Sequence, residues 1–328
     1  MTHFPEFISK TTNKLPNGSF TFSAPSNIAL VKYWGKKDNQ IPANPSLSFT
    51  LSNCKTITTL RFEEKETKGI SFDLLFEGQS KESFRPKIQK YFERILQYCP
   101  YIEDYHFTID TQNTFPHSSG IASSASGMAA ISANIIALEK ELISGKTEDF
   151  FLQKASFLAR LGSGSACRSI KGELVVWGET PSIAGSSNAF GISFDYEIHA
   201  NFKNFQDSIL LVDKGEKQVS STVGHELMFG HPFAEERFKQ AHENISKLKD
   251  VFKSGNLDEF IKLVESEALT LHAMMMTSMP YFILMKPNTL EIINAIWKFR
   301  SDTKIPVCFT LDAGANVHVL YPNKDKEI

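Results

Sequence analysis

The 328-residue sequence predicts an α+β protein with two domains, on three observations. Segments in which polar and apolar residues alternate indicate half-buried strands, chiefly in the first third of the chain. Segments with apolar residues at helical spacing lie between these strands and dominate the last third. A stretch rich in Pro, Ser and Gly at 180–188 is the expected hinge. We therefore expect an N-terminal domain at 1–187 and a C-terminal domain at 188–328.

Strands are predicted where apolar residues alternate with polar ones, or where a short apolar run lies between turn residues. The sequence Ser46-Leu-Ser-Phe-Thr-Leu-Ser52 alternates with a period of two, which places its apolar side chains on one face of a sheet. Residues 174–177, in contrast, are all apolar, as in a buried strand. The predicted strands cover 18–62, part of 63–80, 105–110, 173–177, 208–213, 306–312 and 317–321.

Helices are predicted where apolar residues recur three or four positions apart, as at Ile88, Tyr91, Phe92 and Ile95. Two acidic residues follow Thr147, which is typical of a helix N-terminus because they interact favourably with the helix dipole. The predicted helices cover 83–98, 128–138, 147–161, 234–251, 257–276 and 289–298.

Composition argues against several classes of partner. The formal charge is −2, from 35 basic and 37 acidic side chains, so we expect no nucleic acid or anionic membrane as a partner. No apolar run reaches the roughly 20 residues that a membrane helix needs, and we see no signal peptide. Four widely spaced cysteines give neither a disulfide framework nor a zinc-ribbon spacing. We expect reduced thiols and a cytoplasmic location.

A loop of small residues directly before the predicted helix 128–138 is the most informative segment. Gly, Ser and Ala fill 118–127 except for Ile121. Small residues let the backbone approach a ligand closely, and a helix N-terminus offers unpaired N–H groups and a positive dipole end. The loop is therefore a candidate phosphate site, although a tight turn before a core helix would have the same composition. It is not a Walker A loop, because no Gly-Lys-Ser/Thr ends it.

Lys32 is a candidate anion-binding residue. On a strand its side chain would share a face with Ile28 and Leu30, and a lysine on a buried face is costly unless it meets an opposite charge. The alternative is that Lys32 ends the strand and extends to water. Three lysines and two aromatic residues lie within 32–37, and they support an anion site as strongly as this alternative.

Three further segments combine glycine turns with polar side chains. The first, 160–169, has glycines, serines and Arg168, whose forked guanidinium suits carboxylate or phosphate. In the second, Asp312 ends an apolar strand before a Gly turn, where it could orient a substrate hydroxyl or simply serve the turn. The third, 219–224, is a weaker hydroxyl-rich loop. The nine histidines show no metal-ligand spacing, and no G-x-S-x-G elbow indicates a hydrolase.

These segments, in this order, resemble the mevalonate diphosphate decarboxylase family of the GHMP kinase superfamily. The strings Lys32-Tyr-Trp-Gly-Lys36 and Gly162-Ser-Gly-Ser-Ala-Cys-Arg168 are the specific ones. The loop at 120–127 alone would indicate only the superfamily. Together with 221–224 and 312–316 the matching segments span almost the whole chain. The implied fold is the two-domain α+β GHMP kinase architecture, with a ribosomal protein S5 domain 2-like N-terminal half and a ferredoxin-like C-terminal half.

The resemblance implies an ATP-dependent decarboxylation of mevalonate 5-diphosphate to isopentenyl diphosphate, with ATP and Mg²⁺ as cofactors. The tertiary 3-hydroxyl is phosphorylated, and phosphate and CO₂ then leave. Phosphoryl transfer depends mostly on positioning and charge stabilisation, which suits the anion-binding residues found above. The resemblance further implies a lyase of the mevalonate pathway, and we expect a homodimer.

Residue roles follow by position from the same resemblance. Asp312 should contact the 3-hydroxyl, Lys32 should lie beside Asp312, and Arg168 should hold the substrate carboxylate. The implied diphosphate pocket consists of Tyr33, Trp34, Gly35, Lys36, Ser163, Gly164, Ser165, Ala166, Cys167, Arg168, Ser221 and Thr222. The implied nucleotide site consists of Ser118, Ser119, Gly120, Ala122, Ser123, Ser124 and Ser126, with the hydroxyl of Ser124 or Ser126 near Mg²⁺.

The sequence departs from the family pattern at two places. Where the family has Pro-Thr-Ala-Ala-Gly-Leu-Ala-Ser-Ser, this chain has Pro116-His-Ser-Ser-Gly-Ile-Ala-Ser-Ser124, which adds His117 and two hydroxyls to the loop. Ala315 stands where the family has proline, so we expect a less rigid turn after Asp312.

Two other functions remain open. One is a decarboxylase or 3-kinase acting on mevalonate 5-phosphate; the presence of both Lys32 and Asp312 argues against a kinase that stops before decarboxylation. The other is a non-catalytic nucleotide-binding protein, which would release no ADP in the presence of substrate.

Overall fold

The computed structural model describes residues 4–116, 121–213 and 221–328, with Ser221 and Thr222 described in their backbone alone. The N-terminal half is built on a seven-stranded sheet in the order β4-β3-β5-β2-β6-β7, with β1 paired to the other edge of β2. Its strands are β1 (Asn17–Val31), β2 (Ser46–Glu64), β3 (Phe72–Phe76), β4 (Gln79–Ser80), β5 (Tyr105–Asn113), β6 (Leu174–Trp177) and β7 (Ile192–Ser193).

The two longest strands organise this sheet. β2 pairs antiparallel with β1 along one edge, and along its other edge with β6 at 46–49 and with β5 at 56–64. The register of β1 shifts twice, after Pro25 and after Ala29. Proline has no N–H for the ladder, which accounts for the first shift. β1 ends at Val31, which pairs with Leu47 of β2.

Three helices cover one face of this sheet: α1 (Arg85–Ile95), α2 (Ser123–Leu142) and α3 (Glu148–Gly162). Their apolar sides pack on β2 and β5 in one core cluster. Within it, the rings of Phe92 and Phe107 stack with centroids 5.6 Å apart. Glu139 and Lys154 form a fully buried ion pair at 2.6 Å, which ties α2 to α3. This rigid layer fixes the N-terminus of α2 against the sheet.

In its described residues, the C-terminal half combines four α-helices with a small antiparallel sheet. The helices are α4 (Ser221–Glu226), α5 (Ala234–Ser254), α6 (Leu257–Met276) and α7 (Pro287–Thr303). The strands are β8 (Gln206–Leu210), β9 (Cys308–Thr310) and β10 (Val317–Tyr321), in the order β8-β10-β9. α5 and α6 pack on the end of β1, because Leu30 and Val31 share a core cluster with Ile245 and Val264. The last residues of β1 therefore lie between the two halves.

Each predicted strand and helix is present in the predicted order within the described residues, with differences at some ends, whereas α4 and β7 were not predicted. α2 begins at Ser123, five residues before the predicted Met128, because small residues of the loop enter the helix. β8 ends at Leu210 rather than at 213: the N–H groups of Val212 and Asp213 donate to the Asn316 side chain instead of a strand partner. Within the segment predicted as a loop at 219–224, a short helix begins at Ser221.

The domain boundary at 187/188 stays a prediction. β7 follows it and pairs with β6 of the seven-stranded sheet. No helix among the described residues is both long and apolar enough to cross a membrane.

Candidate active site

Lys32 and Asp312 meet at the junction of the two halves. Lys32 follows the last residue of β1 and is 1% exposed, and Asp312 lies two residues beyond β9. The Nζ atom of Lys32 lies 3.0 Å from Oδ1 of Asp312. The predicted contact is therefore present, and the alternative that Lys32 extends to water is wrong.

The reason for the burial of Lys32 differs from the one expected. Ile28 and Leu30 belong to different core clusters, and β1 is buried on both faces from Ser26 to Val31. The register shift after Ala29 breaks the alternation on which the prediction relied. Lys32 is buried because α6 and the turn after β9 close over the end of the strand.

Buried charged groups hold the backbone of Lys32. Its N–H donates to Oε2 of Glu267 at 2.9 Å, and its carbonyl accepts from Arg237 at 3.1 Å and from Asn44 at 2.9 Å. Arg237 and Glu267 in turn form an ion pair at 2.5 Å with both side chains fully buried. Both backbone groups of Lys32 are thus fixed by side chains from other parts of the chain.

The Arg237–Glu267 ion pair was not predicted from the sequence, although the position of Glu267 in the sequence indicates a buried charge. Glu267 occupies the same helical face as Phe260, Val264 and Leu271, which are buried. A carboxylate in an apolar stripe needs a buried partner, and Arg237 is that partner.

The turn that carries Asp312 is held by side chains on both sides. Nε2 of His272 donates to the backbone carbonyl of Asp312 at 3.1 Å, and burial lowers the pKa of His272 to about 4, which keeps its ring neutral. The hydroxyl of Thr289 donates to the carbonyl of Ala315 at 2.7 Å. These hydrogen bonds restrain the turn at the position where Ala315 replaces proline.

Arg168 lies in a 3₁₀ turn (Gly164–Ser169) directly after α3. Its Nε donates to Asn27 at 3.2 Å, and its Nη1 donates to the Ser46 hydroxyl. Burial lowers the pKa of the guanidinium, while the negative charge of Asp312 acts in the opposite direction. Arg168 also lies near the end of β1, because its partner Ser46 precedes Leu47, which pairs with Val31 next to Lys32. The structure thus brings the three predicted catalytic residues to one region of the molecule.

The remaining residues of this turn differ in what they can offer a ligand. Ser163 and Ser165 are partly exposed, whereas Ala166 and Cys167 are buried. The thiol of Cys167 donates to the carbonyl of Gly164 at 3.1 Å, and burial raises its pKa to about 12. The side chains of Ala166 and Cys167 thus point into the core, which leaves only their backbone groups for a substrate.

The aromatic residues after Lys32 pack around a histidine that sequence reasoning missed. The ring of His225 lies 4.2 Å from that of Tyr33 and 4.6 Å from that of Trp34, centroid to centroid. Its Nδ1 accepts the N–H of Gly35 at 3.0 Å. Lys36 is close enough to oppose its protonation, and its own Nζ lies 3.5 Å from Glu226.

The hydroxyl of Tyr33 is buried and has no hydrogen-bond partner among the described residues. It points at Gly164, where an added Cβ would lie 2.9 Å from the oxygen, so only glycine fits there. A buried hydroxyl without a hydrogen-bond partner destabilises the protein, and a bound anion would supply the missing acceptor. The backbone of Ser221 and Thr222 opens α4 nearby in sequence, but their side chains are outside the described part.

The N-terminus of α2 faces a separate small cavity. Ala122, its N-cap residue, has a left-handed backbone (φ 49°) and no side-chain oxygen with which to cap the helix. Ser124, exposed in the first turn, accepts a hydrogen bond from Nζ of Lys87 on α1. The cavity beside it has a volume of about 130 Å³. Its lining includes Leu74, Phe76, Phe84, Lys87, Ser123, Ser124, Gly127 and Met128.

Ser124 and Ser126, the two serines predicted near Mg²⁺, differ in the accessibility of their hydroxyls. The hydroxyl of Ser126 is buried and bonds to the hydroxyl of Thr56 at 2.6 Å, so it faces the sheet. Ser124 is the hydroxyl that remains accessible. Ser118, Ser119 and Gly120, also expected at the nucleotide, lie outside the described residues.

The fold and this site define a protein of the two-domain GHMP kinase type, with small residues at a helix N-terminus and a charged pair where the halves meet. Residues 24–189 match the model of the diphosphomevalonate decarboxylase-like N-terminal domain, and residues 208–328 match that of the mevalonate 5-diphosphate decarboxylase C-terminal domain. The chain belongs to the diphosphomevalonate decarboxylase family.

Individual proteins agree with this assignment. The diphosphomevalonate decarboxylase of Ganoderma lucidum is 30% identical over 94% of this chain and 80% of its own length. The solved structure of the mevalonate diphosphate decarboxylase from Enterococcus faecalis is 27% identical, with a TM-score of 0.79 over 95% of this chain and 91% of its own. The structure of MDDEF in complex with MVAPP, AMPPCP and magnesium is 28% identical, with a TM-score of 0.80 over 95% and 91%.

Proposed function

We propose that this protein catalyses the ATP-dependent decarboxylation of mevalonate 5-diphosphate to isopentenyl diphosphate, releasing ADP, phosphate and CO₂. The observation that carries the proposal is the meeting of Lys32, Asp312 and Arg168 in one place. Lys32 and Asp312 are 3.0 Å apart, and Arg168 lies near the end of β1 that precedes Lys32. An ammonium, a carboxylate and a guanidinium around one small acid are what the two chemical steps require.

In the first step Asp312 orients the substrate's 3-hydroxyl for attack on the γ-phosphorus. A carboxylate oxygen accepts the hydroxyl proton as the new P–O bond forms and the bond to ADP breaks. One oxygen of Asp312 contacts Lys32, and the side chain keeps 29% of its surface exposed toward solvent. Lys32 thus fixes the carboxylate in one orientation, and orientation supplies much of the rate in phosphoryl transfer.

In the second step the C3–O bond of the phosphorylated intermediate breaks and phosphate leaves. The electrons of the C1–C2 bond form the new C2=C3 double bond, and C1 leaves as CO₂. Arg168 holds the substrate carboxylate until that bond breaks. Its Nε and Nη1 are occupied by Asn27 and Ser46, and no hydrogen bond within the described residues engages Nη2. The remaining N–H groups are suited to a carboxylate.

The diphosphate lies, in this proposal, against Tyr33, Lys36, Ser163 and Ser165. The unpaired hydroxyl of Tyr33 supports this placement, since a phosphate oxygen would give it a partner. The backbone groups of Gly35, Gly164, Ala166 and Cys167 complete the pocket. Ser221 and Thr222 are proposed members on the family resemblance alone.

The N-terminus of α2 is the proposed ATP site. The residues present fit an anionic nucleotide: an uncapped helix end, an ammonium from Lys87, and an apolar cavity beside them. When bound, Mg²⁺-ATP supplies the phosphoryl group and neutralises its developing charge. Ser124 is the better candidate to face the metal, because Ser126 already bonds to Thr56. Ser123, Ala122 and the loop residues 118–120 would contact the phosphates.

An assay of the purified protein with ATP and Mg²⁺ tests the function. We expect equal amounts of CO₂ and ADP with mevalonate 5-diphosphate and much slower release with mevalonate 5-phosphate. Faster turnover of the monophosphate would reassign the substrate. ADP release without CO₂ would indicate a kinase, and the absence of both would rule out the enzyme.

We also propose that the protein is a cytoplasmic homodimer and that 1–187 and 188–328 are its domains. Four side chains of the C-terminal half, Phe229, Met279, Tyr281 and Ile283, are 60–97% exposed, and exposed apolar groups favour association. All four cysteines are free thiols, as in reducing compartments. Sedimentation at micromolar concentration should give twice the mass of 36.9 kDa.

A further inference from the structure

His225 occupies a defined position inside the proposed diphosphate pocket. Its ring lies between those of Tyr33 and Trp34, at 4.2 and 4.6 Å between centroids. Its Nδ1 accepts the backbone N–H of Gly35 at 3.0 Å. Two rings and one hydrogen bond thus fix both the plane and the rotation of the imidazole, at the very residues expected to bind the substrate's diphosphate.

The hydrogen bond to Gly35 determines which nitrogen carries the proton. A nitrogen that accepts a hydrogen bond has no hydrogen of its own, so Nδ1 is bare. The neutral ring then has its single proton on Nε2. His225 as a residue is largely enclosed but not fully buried, and no hydrogen bond within the described residues engages Nε2.

The surroundings keep the ring neutral. Burial, followed by the positive charges of Lys36 and Arg168, lowers the pKa of His225 to about 3. A third cation beside these two would be repelled in the absence of an anion, whereas a neutral donor is not. The pocket can therefore hold His225 ready for an anion without self-repulsion.

A second observation points independently to an anion at this place. The buried hydroxyl of Tyr33 has no hydrogen-bond partner within the described part of the chain. It lies on the ring that packs against His225. Two rings in contact therefore carry one hydroxyl and one imidazole N–H that no acceptor in the described part of the chain engages.

We propose that His225 binds the substrate's diphosphate by donating its Nε2–H to a phosphate oxygen, beside the hydroxyl of Tyr33. The inference rests on the proposed function, because it names a further ligand for the same substrate. His225 acts in binding rather than in either chemical step, so its loss should raise the dissociation constant and KM and leave kcat nearly unchanged.

Two variants separate the donor from the shape of the ring. His225→Phe keeps an aromatic ring but removes both nitrogens, and His225→Gln places an amide N–H close to the position of Nε2. A hydrogen bond to a charged group supplies enough free energy to change affinity by roughly 10- to 100-fold. We expect calorimetric titration with mevalonate 5-diphosphate to show a loss of that size for the Phe variant and recovery of most of it for the Gln variant. His106 lies on β5 and pairs with Asp73 of β3. The variant His106→Phe serves as the matched control and should bind mevalonate 5-diphosphate normally.

The outcomes are distinguishable. Unchanged affinity in His225→Phe, in a protein whose thermal melt matches the parent, would overturn the role of His225 while the proposed function stands. Equal losses in both variants would also overturn it, since they would show that the ring packs rather than donates. Failure of the parent protein itself to bind mevalonate 5-diphosphate would instead reject the proposed function.

Discussion

Arg237 donates to both carboxylate oxygens of Glu267, at 3.1 and 2.5 Å, and neither side chain is exposed to solvent. The same two residues contact the carbonyl and the N–H of Lys32. A structural ion pair on α5 and α6 therefore sets the backbone from which the candidate catalytic ammonium extends.

We predict that Glu267→Gln destabilises the protein by about 3–5 kcal/mol, because it leaves Arg237 charged and buried without its partner. Urea unfolding followed by circular dichroism measures the change. Lys298→Ala removes an exposed pair with Asp302 and should cost less than about 1 kcal/mol. A small loss in Glu267→Gln, similar to the control, would show that the pair is dispensable.

Asp312→Asn should abolish turnover while substrate and nucleotide still bind. The amide keeps the size of the side chain but cannot accept the hydroxyl proton. We expect kcat to fall by at least about 1,000-fold with binding constants within a few-fold of the parent. Normal turnover in this variant would remove Asp312 from the mechanism.

Arg168→Lys should lower kcat/KM by about 100-fold or more, because a point charge cannot replace a guanidinium that bonds Asn27, Ser46 and a carboxylate at once. Steady-state kinetics with varied mevalonate 5-diphosphate measures the effect. Unchanged kinetics would count against Arg168 as the carboxylate ligand.

Lys87→Ala should raise the KM for ATP about tenfold, since the ammonium lies at the N-terminus of α2 and bonds Ser124. Lys90 on the same helix is exposed, so Lys90→Ala is the matched control and should leave that KM unchanged. Equal effects in the two variants would mean that Lys87 acts only through the overall charge.

Stability should fall as the pH drops from 6.5 toward 4, because His225 and His272 resist protonation in the folded state. Their pKa values are lowered to about 3 and about 4, so the unfolded chain takes up more protons in that interval. Each histidine contributes up to about 1.4 kcal/mol per pH unit. Urea unfolding at pH 6.5, 6.0 and 5.5 measures the slope. His272→Gln should reduce it, and an identical slope in that variant would show that His272 does not control it.

The element order was predictable from local sequence, because period and turn chemistry act over short distances. Lys32, Arg168 and Asp312 could each be selected as candidates in the same way, but their assembly into one site was expected from the family resemblance alone. The contacts that bury Lys32 were not. They depend on a register shift in β1 and on Glu267, which is separated from Lys32 by 235 positions. His225 was missed for a similar reason: nothing in its own segment indicates the rings of Tyr33 and Trp34 that enclose it.

The different fates of Ser124 and Ser126 show the same limit. Both lie in the small-residue loop and are chemically identical, so composition treats them alike. Their directions from the first turn of α2 determine their partners: Ser124 bonds to Lys87, and Ser126 bonds to Thr56. Helical direction could be predicted only after the helix start at Ser123 was known.

The Lys32–Asp312 contact joins residues 280 positions apart. A nascent chain carries the lysine 280 residues before the acid is added. Any product truncated before residue 312 therefore lacks one member of this candidate pair.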